Sequence, residues 1–216
     1  GGSIPHPGEI SLAHNGVLFL DELPEFSRDA MEILRQPIED GQVTISRVSG
    51  TLAYPCSMMV IAAMNPCPCG YFGHPTRLCT CSPMKVGRYL SRVSGPLLDR
   101  LDLHIEALPV EFQPISSSEP AESSAAMKAR VNAARKIQEE RFRGTGITQN
   151  ARIPSARLHK DCPVTDSGNK LLDNAFNRMG LSARAYDRIL KVARTIADLD
   201  QSDVIDSRHV AEAVQY

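Results

Sequence analysis

The stretch Gly16-Val17-Leu18-Phe19-Leu20-Asp21-Glu22 constrains the fold more than any other, because four large apolar residues run directly into two adjacent carboxylates. An apolar run without polar alternation fits a strand buried on both faces, as in a parallel sheet. Its carboxyl end then delivers Asp21 and Glu22 to the edge where open α/β sheets bind ligands. In nucleotide hydrolases the first carboxylate of such a pair supports magnesium and the second polarises the attacking water, the Walker B pattern. The same residues also fit a buried strand that precedes a helix N-terminus, where the dipole favours acids.

The residues after Glu22 supply the elements such a strand needs. Ser27 to Ile38 has an N-cap serine and places Ala30, Ile33, Leu34 and Ile38 at helical spacing, with Asp40-Gly41 as its stop. Gln42–Ser46 and Thr51–Tyr54, on either side of Ser49-Gly50, predict a hairpin. Met58 to Met64 predicts a second buried strand, which ends at Asn65 and brings another polar side chain to the sheet edge. Pro96 opens a short helix that leads to Arg100, and Leu101 to Val110 reads as a further strand. Between Pro109 and Ser124 the sequence is rich in Pro, Ser and Glu, which places a domain boundary there, with a linker at 113–124. Beyond it the pattern is helical. Ala125–Phe142 is one helix, and Asp166–Met179 is another, stopped by Gly180. A third follows Ser182 with Ala185, Ile189, Val192 and Ile196 on one stripe, and a last helix runs from Asp206 to about Val214. Arg188, Lys191 and Arg194 fall on a common face of the third helix, expected to be solvated.

A formal net charge of −1 over 216 residues provides no overall field for nucleic acid, so any such contact needs a local basic patch or a larger assembly. No apolar run approaches the roughly 20 residues that span a bilayer, and no basic segment leads an apolar signal core. The expectation is a cytoplasmic protein without membrane contact. In a reducing compartment, Cys67, Cys69, Cys79 and Cys81 point to metal rather than to disulfides. Their pattern, two C-x-C pairs, offers the four thiolates of a closed tetrahedral zinc site, with Gly70, Gly73 and Pro75 letting the loop turn back. C-x-C is tighter than the usual C-x-x-C knuckle, and four reduced packing cysteines fit the pattern as well. Cys56 and Cys162 read as packing residues.

A Walker B site works with a phosphate loop of the form G-x-x-x-x-G-K-[ST]. No Gly-Lys pair occurs in these residues, so the chain is expected to be the C-terminal portion of a longer protein, inactive toward ATP alone. The runs GEISLAHNGVLFLDELPEF, DGQVTISRVSGTLAYP, AAMNPCPCGYFG, SGPLLDRLDLHIE and LSARAYDRILKVARTIADL, in that order, resemble the magnesium-chelatase-like ComM/YifB family of bacterial AAA+ ATPases over nearly the whole chain.

The resemblance implies an α/β fold class, a partial AAA+ core with a mostly parallel sheet at 1–112, followed by an all-α helical lid at 125–216. It implies ATP and Mg2+ as ligands, with Asp21 and Glu22 as the Walker B pair and Asn65 positioning water or the γ-phosphate. Arg184 then corresponds to the sensor 2 arginine of the lid, and Arg100 to the arginine finger that acts in a neighbouring subunit of a homo-oligomeric ring, a hexamer. It also implies DNA as partner, with branch migration during natural transformation as the activity. Read from the residues alone, Arg100 is equally an ion-pair partner of Asp99 or Asp102, and Arg184 a solvated cation set against the helix dipole. Arg47, near the hairpin tip, either tracks DNA phosphates from a central pore or belongs to a hairpin that packs subunits together. A magnesium chelatase motor subunit, which drives metal insertion into a porphyrin, shares all five site residues but not the cysteine-rich insertion. A sigma-54-class activator shares the GxLFLDE-like run, and a plain interaction module remains the non-enzymatic alternative for the isolated chain.

Overall fold

A computed structural model of the protein describes residues 6–47, 50–107 and 122–216. They form two compact units that divide between Leu101 and Asp102. The expected linker at 113–124 lies largely outside the described residues.

In the first unit a one-turn helix, α1 (Glu9–Leu12), precedes strand β1 (Val17–Leu20). Helix α2 (Arg28–Asp40) then starts at Ser27, whose Oγ accepts the Ala30 N–H at 3.2 Å, and stops at Gly41, which takes the left-handed conformation at φ 67°. The hairpin consists of β2 (Gln42–Arg47) and β3 (Gly50–Pro55), antiparallel with Gln42 opposite Pro55 and Arg47 opposite Gly50. Strand β4 (Met59–Ala62) pairs with β1 in parallel, Val17 opposite Met59 and Leu20 opposite Ala62. Helices α3 (Pro83–Leu90) and α4 (Gly95–Leu98) complete the unit.

Both short helices carry proline in the first turn, where its missing N–H costs nothing. The core joins Leu20, Leu23, Met31, Leu34, Val93 and Leu97, with Leu18, Val60 and Ala62 packed against it. One face of the parallel pair is therefore buried. The other is not: Val17, Phe19, Met59 and Ile61 are 55, 59, 63 and 42% exposed. The expected burial on both faces is thus met on one face only, since none of the described residues packs over the other. A second departure lies after Arg100. Residues 101–107 form no strand, because Leu103 and Ile105 find no neighbouring strand among the described residues and stay exposed. Residues 108–110 of that expected strand lie outside the described residues.

The second unit is helical, with α5 (Ser124–Arg141), α6 (Leu158–Asp161), α7 (Asp166–Met179), α8 (Ala183–Leu199) and α9 (Ser207–Ala213). Side-chain oxygens of Ser123, Thr165, Ser182 and Asp206 cap the four longer helices, and Gly180 ends α7 at φ 59°. The core is built on Leu172, Ile189, Leu190, Ala193, Ile196, Ile205 and Val210. Within it sits a charged network that the helical pattern does not reveal. Arg194 and Asp198, one turn apart on α8, are both fully buried. Asp198 accepts from Arg194 Nε at 3.1 Å, from Arg141 Nη1 at 2.8 Å and from Asn150 Nδ2 at 2.7 Å. Arg194 Nη1 also donates to the Asp203 carbonyl at 2.8 Å. The expectation that Arg194 is solvated therefore fails: it closes the α8–α9 connection from inside, held by the Asp198 carboxylate it shares with Arg141 and by the Asp203 carbonyl.

Asp198→Ala should cost about 3–5 kcal/mol, the penalty for leaving a buried charge unpaired. Urea denaturation of the chain measures it, and a loss below about 1 kcal/mol, the scale of an exposed pair, would contradict the network's burial.

Candidate nucleotide and metal sites

The parallel pairing of β1 with β4 determines what stands at the sheet's carboxyl edge. The Ala63 N–H donates to the Leu20 carbonyl at 2.8 Å and the Leu23 N–H to the Ala63 carbonyl at 3.0 Å, so the two chains stay zipped past the ends of the strands. Asp21 and Glu22 leave β1 at this edge and Asn65 leaves β4 three residues after Ala62. All three are solvent-exposed.

Asp21 Oδ1 accepts the Glu22 N–H at 2.9 Å. Glu22 adopts the left-handed conformation, φ 51° and ψ 46°, which few non-glycine residues take. The next three residues impose that conformation: Pro24 sits in a tight 3-10 turn, Leu23–Glu25, and both Leu23 and Pro24 are buried. The turn reverses the chain immediately after the carboxylates and keeps them at the edge. An αL residue with a large side chain costs on the order of 1–2 kcal/mol, and such strain gathers at functional sites.

Tyr89 of α3 is a site neighbour that the sequence did not single out. Its side chain is buried, and burial together with the charges of Glu25 and Glu22 pushes its hydroxyl up, while a hydrogen bond from the Asn65 backbone works against them. Tyr89 thus ties α3 to the Asn65 lip of the edge. The available signal was its position beside Val86 on the apolar side of α3.

Asn65 opens directly into the cysteine loop. A side chain at Gly70 would place its Cβ 3.9 Å from Asn65 Oδ1, and Gly70 and Gly73 hold φ of 80° and 78°, which return the chain to the first C-x-C pair. Cys67 and Cys69 sulfurs lie 3.4 Å apart, Cys67 and Cys79 3.7 Å, and Cys69 and Cys79 3.5 Å. With Cys81 all four sulfurs lie within 4.8 Å of one another. A tetrahedral site with metal–sulfur bonds of about 2.3 Å has sulfurs about 3.8 Å apart, so the cluster fits a metal of zinc's size and could hold one. Backbone N–H groups of Tyr71 and Thr80 draw the Cys69 thiol down to about 5. Cys79 accepts a backbone hydrogen bond from Cys81, yet burial and the neighbouring thiols push it up to about 12. Cys56 and Cys162 are buried and are not members of the cluster.

The arginines are distributed differently. Arg100 pairs with Glu39 of α2, not with Asp99 or Asp102, and its Nη1 donates to the Pro96 carbonyl at 2.7 Å. Its Nε is buried without a hydrogen-bond partner. Arg184 is exposed in the first turn of α8, in the second unit. Arg47 closes the β2–β3 ladder, and the hairpin tip at 48–49 lies outside the described residues.

Comparison with known proteins adds an independent line. A family model described as magnesium chelatase, subunit ChlI, matches residues 1–115, and one described as its C-terminal part matches residues 121–216. The chain is 48% identical over 219 residues to the uncharacterized protein YifB of Escherichia coli and 46% identical over 218 residues to competence protein ComM of Haemophilus influenzae. It is also 37% identical to an uncharacterized protein of Mycobacterium tuberculosis over 199 residues, 92% of this chain. It spans 42% of the length of YifB and of ComM and 39% of the mycobacterial protein.

The conformation of Glu22 makes a prediction about the site's cost. Glu22→Gly should raise the chain's stability by about 1 kcal/mol by relieving the left-handed strain, whereas Glu22→Gln should not. Parallel urea titrations decide it, and equal midpoints for the two variants would show that Glu22 is not strained.

Proposed function

The chain belongs to the magnesium-chelatase-like ComM/YifB family, and we propose that it is accordingly part of an ATP-hydrolysing AAA+ ring motor that moves along DNA, in the manner of a branch-migration helicase. The observation that carries the reading is the common edge: Asp21, Glu22 and Asn65 leave two hydrogen-bonded parallel strands at the same end. Magnesium, bound with ATP, neutralises charge on the β- and γ-phosphates. Asp21, whose other oxygen already accepts the Glu22 N–H, would hold that ion. Glu22, held outward by the turn at Leu23–Glu25, accepts a proton from water, and Asn65 orients that water or the γ-phosphate. Arg184 contributes from the helical unit. Arg100, whose planar fork suits a phosphoryl group in transfer, reaches a neighbouring subunit of a hexameric ring, with Glu39 setting its orientation until it does so. The phosphate loop and a cover for the exposed face of β1–β4 come from the rest of a longer protein. The name of the Haemophilus influenzae relative, a competence protein, favours DNA over a porphyrin as the object of the motor. The description of the family model keeps a chelatase motor as the second reading.

ATPase assays of the longer protein with and without DNA test this function. Turnover should rise when DNA is added and fall by about 10²–10⁴-fold in Glu22→Gln, the range for a positioned base, with ATP binding retained. Stimulation by a porphyrin system and none by DNA would overturn the helicase reading in favour of the chelatase.

We also propose that Cys67, Cys69, Cys79 and Cys81 hold one structural zinc, since four protein sulfurs leave no open position for catalysis. Protein purified without chelator should contain about one zinc per chain, lost in Cys67→Ser. Folded, metal-free protein with all four thiols titratable would rule the site out.

A further inference from the structure

We infer that the cysteine loop and helix α3 together form a docking surface for single-stranded DNA. The inference rests on the DNA-motor reading and adds a location to it. The first observation is charge. From Asn65 to Leu98 the chain contains Arg77, Lys85, Arg88 and Arg92 and no Asp or Glu, although the whole chain carries a formal charge of −1. Of these four, Arg92 is engaged by Glu25 at 3.0 Å and by the Pro24 carbonyl at 3.1 Å. Arg77, Lys85 and Arg88 are exposed and make no ion pair among the described residues. On α3, Val86 and Tyr89 face the interior, so Lys85 and Arg88, three residues apart, stand together on the outer face.

The second observation is a group of ring and guanidinium side chains held together on the same loop. The Arg77 guanidinium lies 5.3 Å from the centroid of the Tyr71 ring, and its Nη1 donates to the Tyr71 hydroxyl at 2.8 Å. His74 fixes this arrangement: its Nδ1 accepts the N–H groups of Thr76 and Arg77 at 3.2 and 3.1 Å, and its ring meets Tyr71 edge-on at 5.7 Å. Beside it Phe72 is 52% exposed on a loop that the sulfur cluster closes. Exposed aromatic and guanidinium planes held by a rigid loop offer stacking surfaces to unpaired bases, and the unmatched cations offer phosphate contacts. A duplex keeps its bases stacked and would use only the cations. A protein interface would bury Lys85 and Arg88 without an acidic partner from this chain, and lysine is depleted from interface cores. The loop begins at Asn65, and Gly70 lies against the Asn65 side chain, so a strand seated here would bear on the residue that this reading places beside the γ-phosphate.

The test measures fluorescence anisotropy of a labelled oligothymidylate, about 20 nucleotides long to cover one or more site lengths, against the longer protein without nucleotide. The combined variant Arg77→Glu, Lys85→Glu, Arg88→Glu should bind at least tenfold more weakly, with a salt slope shallower by about 2, three phosphate contacts at about 0.7 each. Phe72→Ala should weaken oligothymidylate binding about fivefold or more and leave binding to a blunt duplex unchanged. ATPase without DNA should be as in the parent for both variants, which shows that they are folded. Parental affinity and salt slope in the triple variant would overturn the surface and leave the DNA-motor reading intact, assigning this face to a protein partner instead. A silent Phe72→Ala would overturn the stacking surface, and no DNA binding by the parent protein would overturn both readings.

Discussion

The register of two short strands governs this structure. Four backbone positions pair β1 with β4, Val17 opposite Met59 through Leu20 opposite Ala62, and the pairing continues through Ala63 and Leu23 after the strands end. Because the strands are parallel, their carboxyl ends coincide. Each strand delivers a polar residue where its own hydrogen bonding runs out, so the acidic pair and the asparagine become neighbours although they are far apart in sequence. A shift of one residue would turn Leu18 and Leu20 outward and Val17 and Phe19 onto α2, and it would move Asp21 off the edge. The core under the sheet and the site above it thus depend on the same alignment.

Two local devices keep the edge usable. The buried Leu23-Pro24 pair forces a 3-10 turn and leaves Glu22 in a left-handed conformation, so backbone strain holds the carboxylate outward. On the other lip, Asn65 leads at once into a loop with its own closure, in which four sulfurs face one another and two glycines reverse the chain. The buried Tyr89 hydroxyl accepts a hydrogen bond from the Asn65 backbone on this lip. The cysteine loop starts at Asn65 itself, and its Gly70 comes back against the Asn65 side chain. The helical unit has a separate origin of rigidity, the Arg141–Asp198–Arg194 network, in which one buried carboxylate is shared by two guanidiniums beside the α8–α9 connection.

Much of this was legible in the sequence. Ser27 with Gly41, and Ser182 with Gly180 before it, announce helix limits through capping chemistry that operates within a few residues. The apolar run before Asp21, the second run before Asn65 and the hairpin between them follow from local pattern, and the grouping of Cys67, Cys69, Cys79 and Cys81 from spacing. Less legible was whatever depends on a partner distant in the chain. Leu101 to Ile105 alternates like a strand but has none beside it among the described residues. Arg194 sits on what periodicity marks as a solvated face, yet its charge is matched by Asp198 one turn away and by the Asp203 carbonyl beyond the helix.

Short-range sterics and side-chain identity were enough to place the limits of most elements, the residues at the ends of the two apolar runs, and the grouping of the four cysteines. All of that can be read along the chain. Long-range packing settled the rest: one face of the strand pair is covered and the other open, Arg100 pairs with Glu39 rather than with its sequence neighbours, Glu22 is left-handed, and four sulfurs converge to within 4.8 Å. Each of those outcomes is set by groups brought together across the chain or by burial of an adjoining turn, and local pattern carries no information about which distant group will arrive.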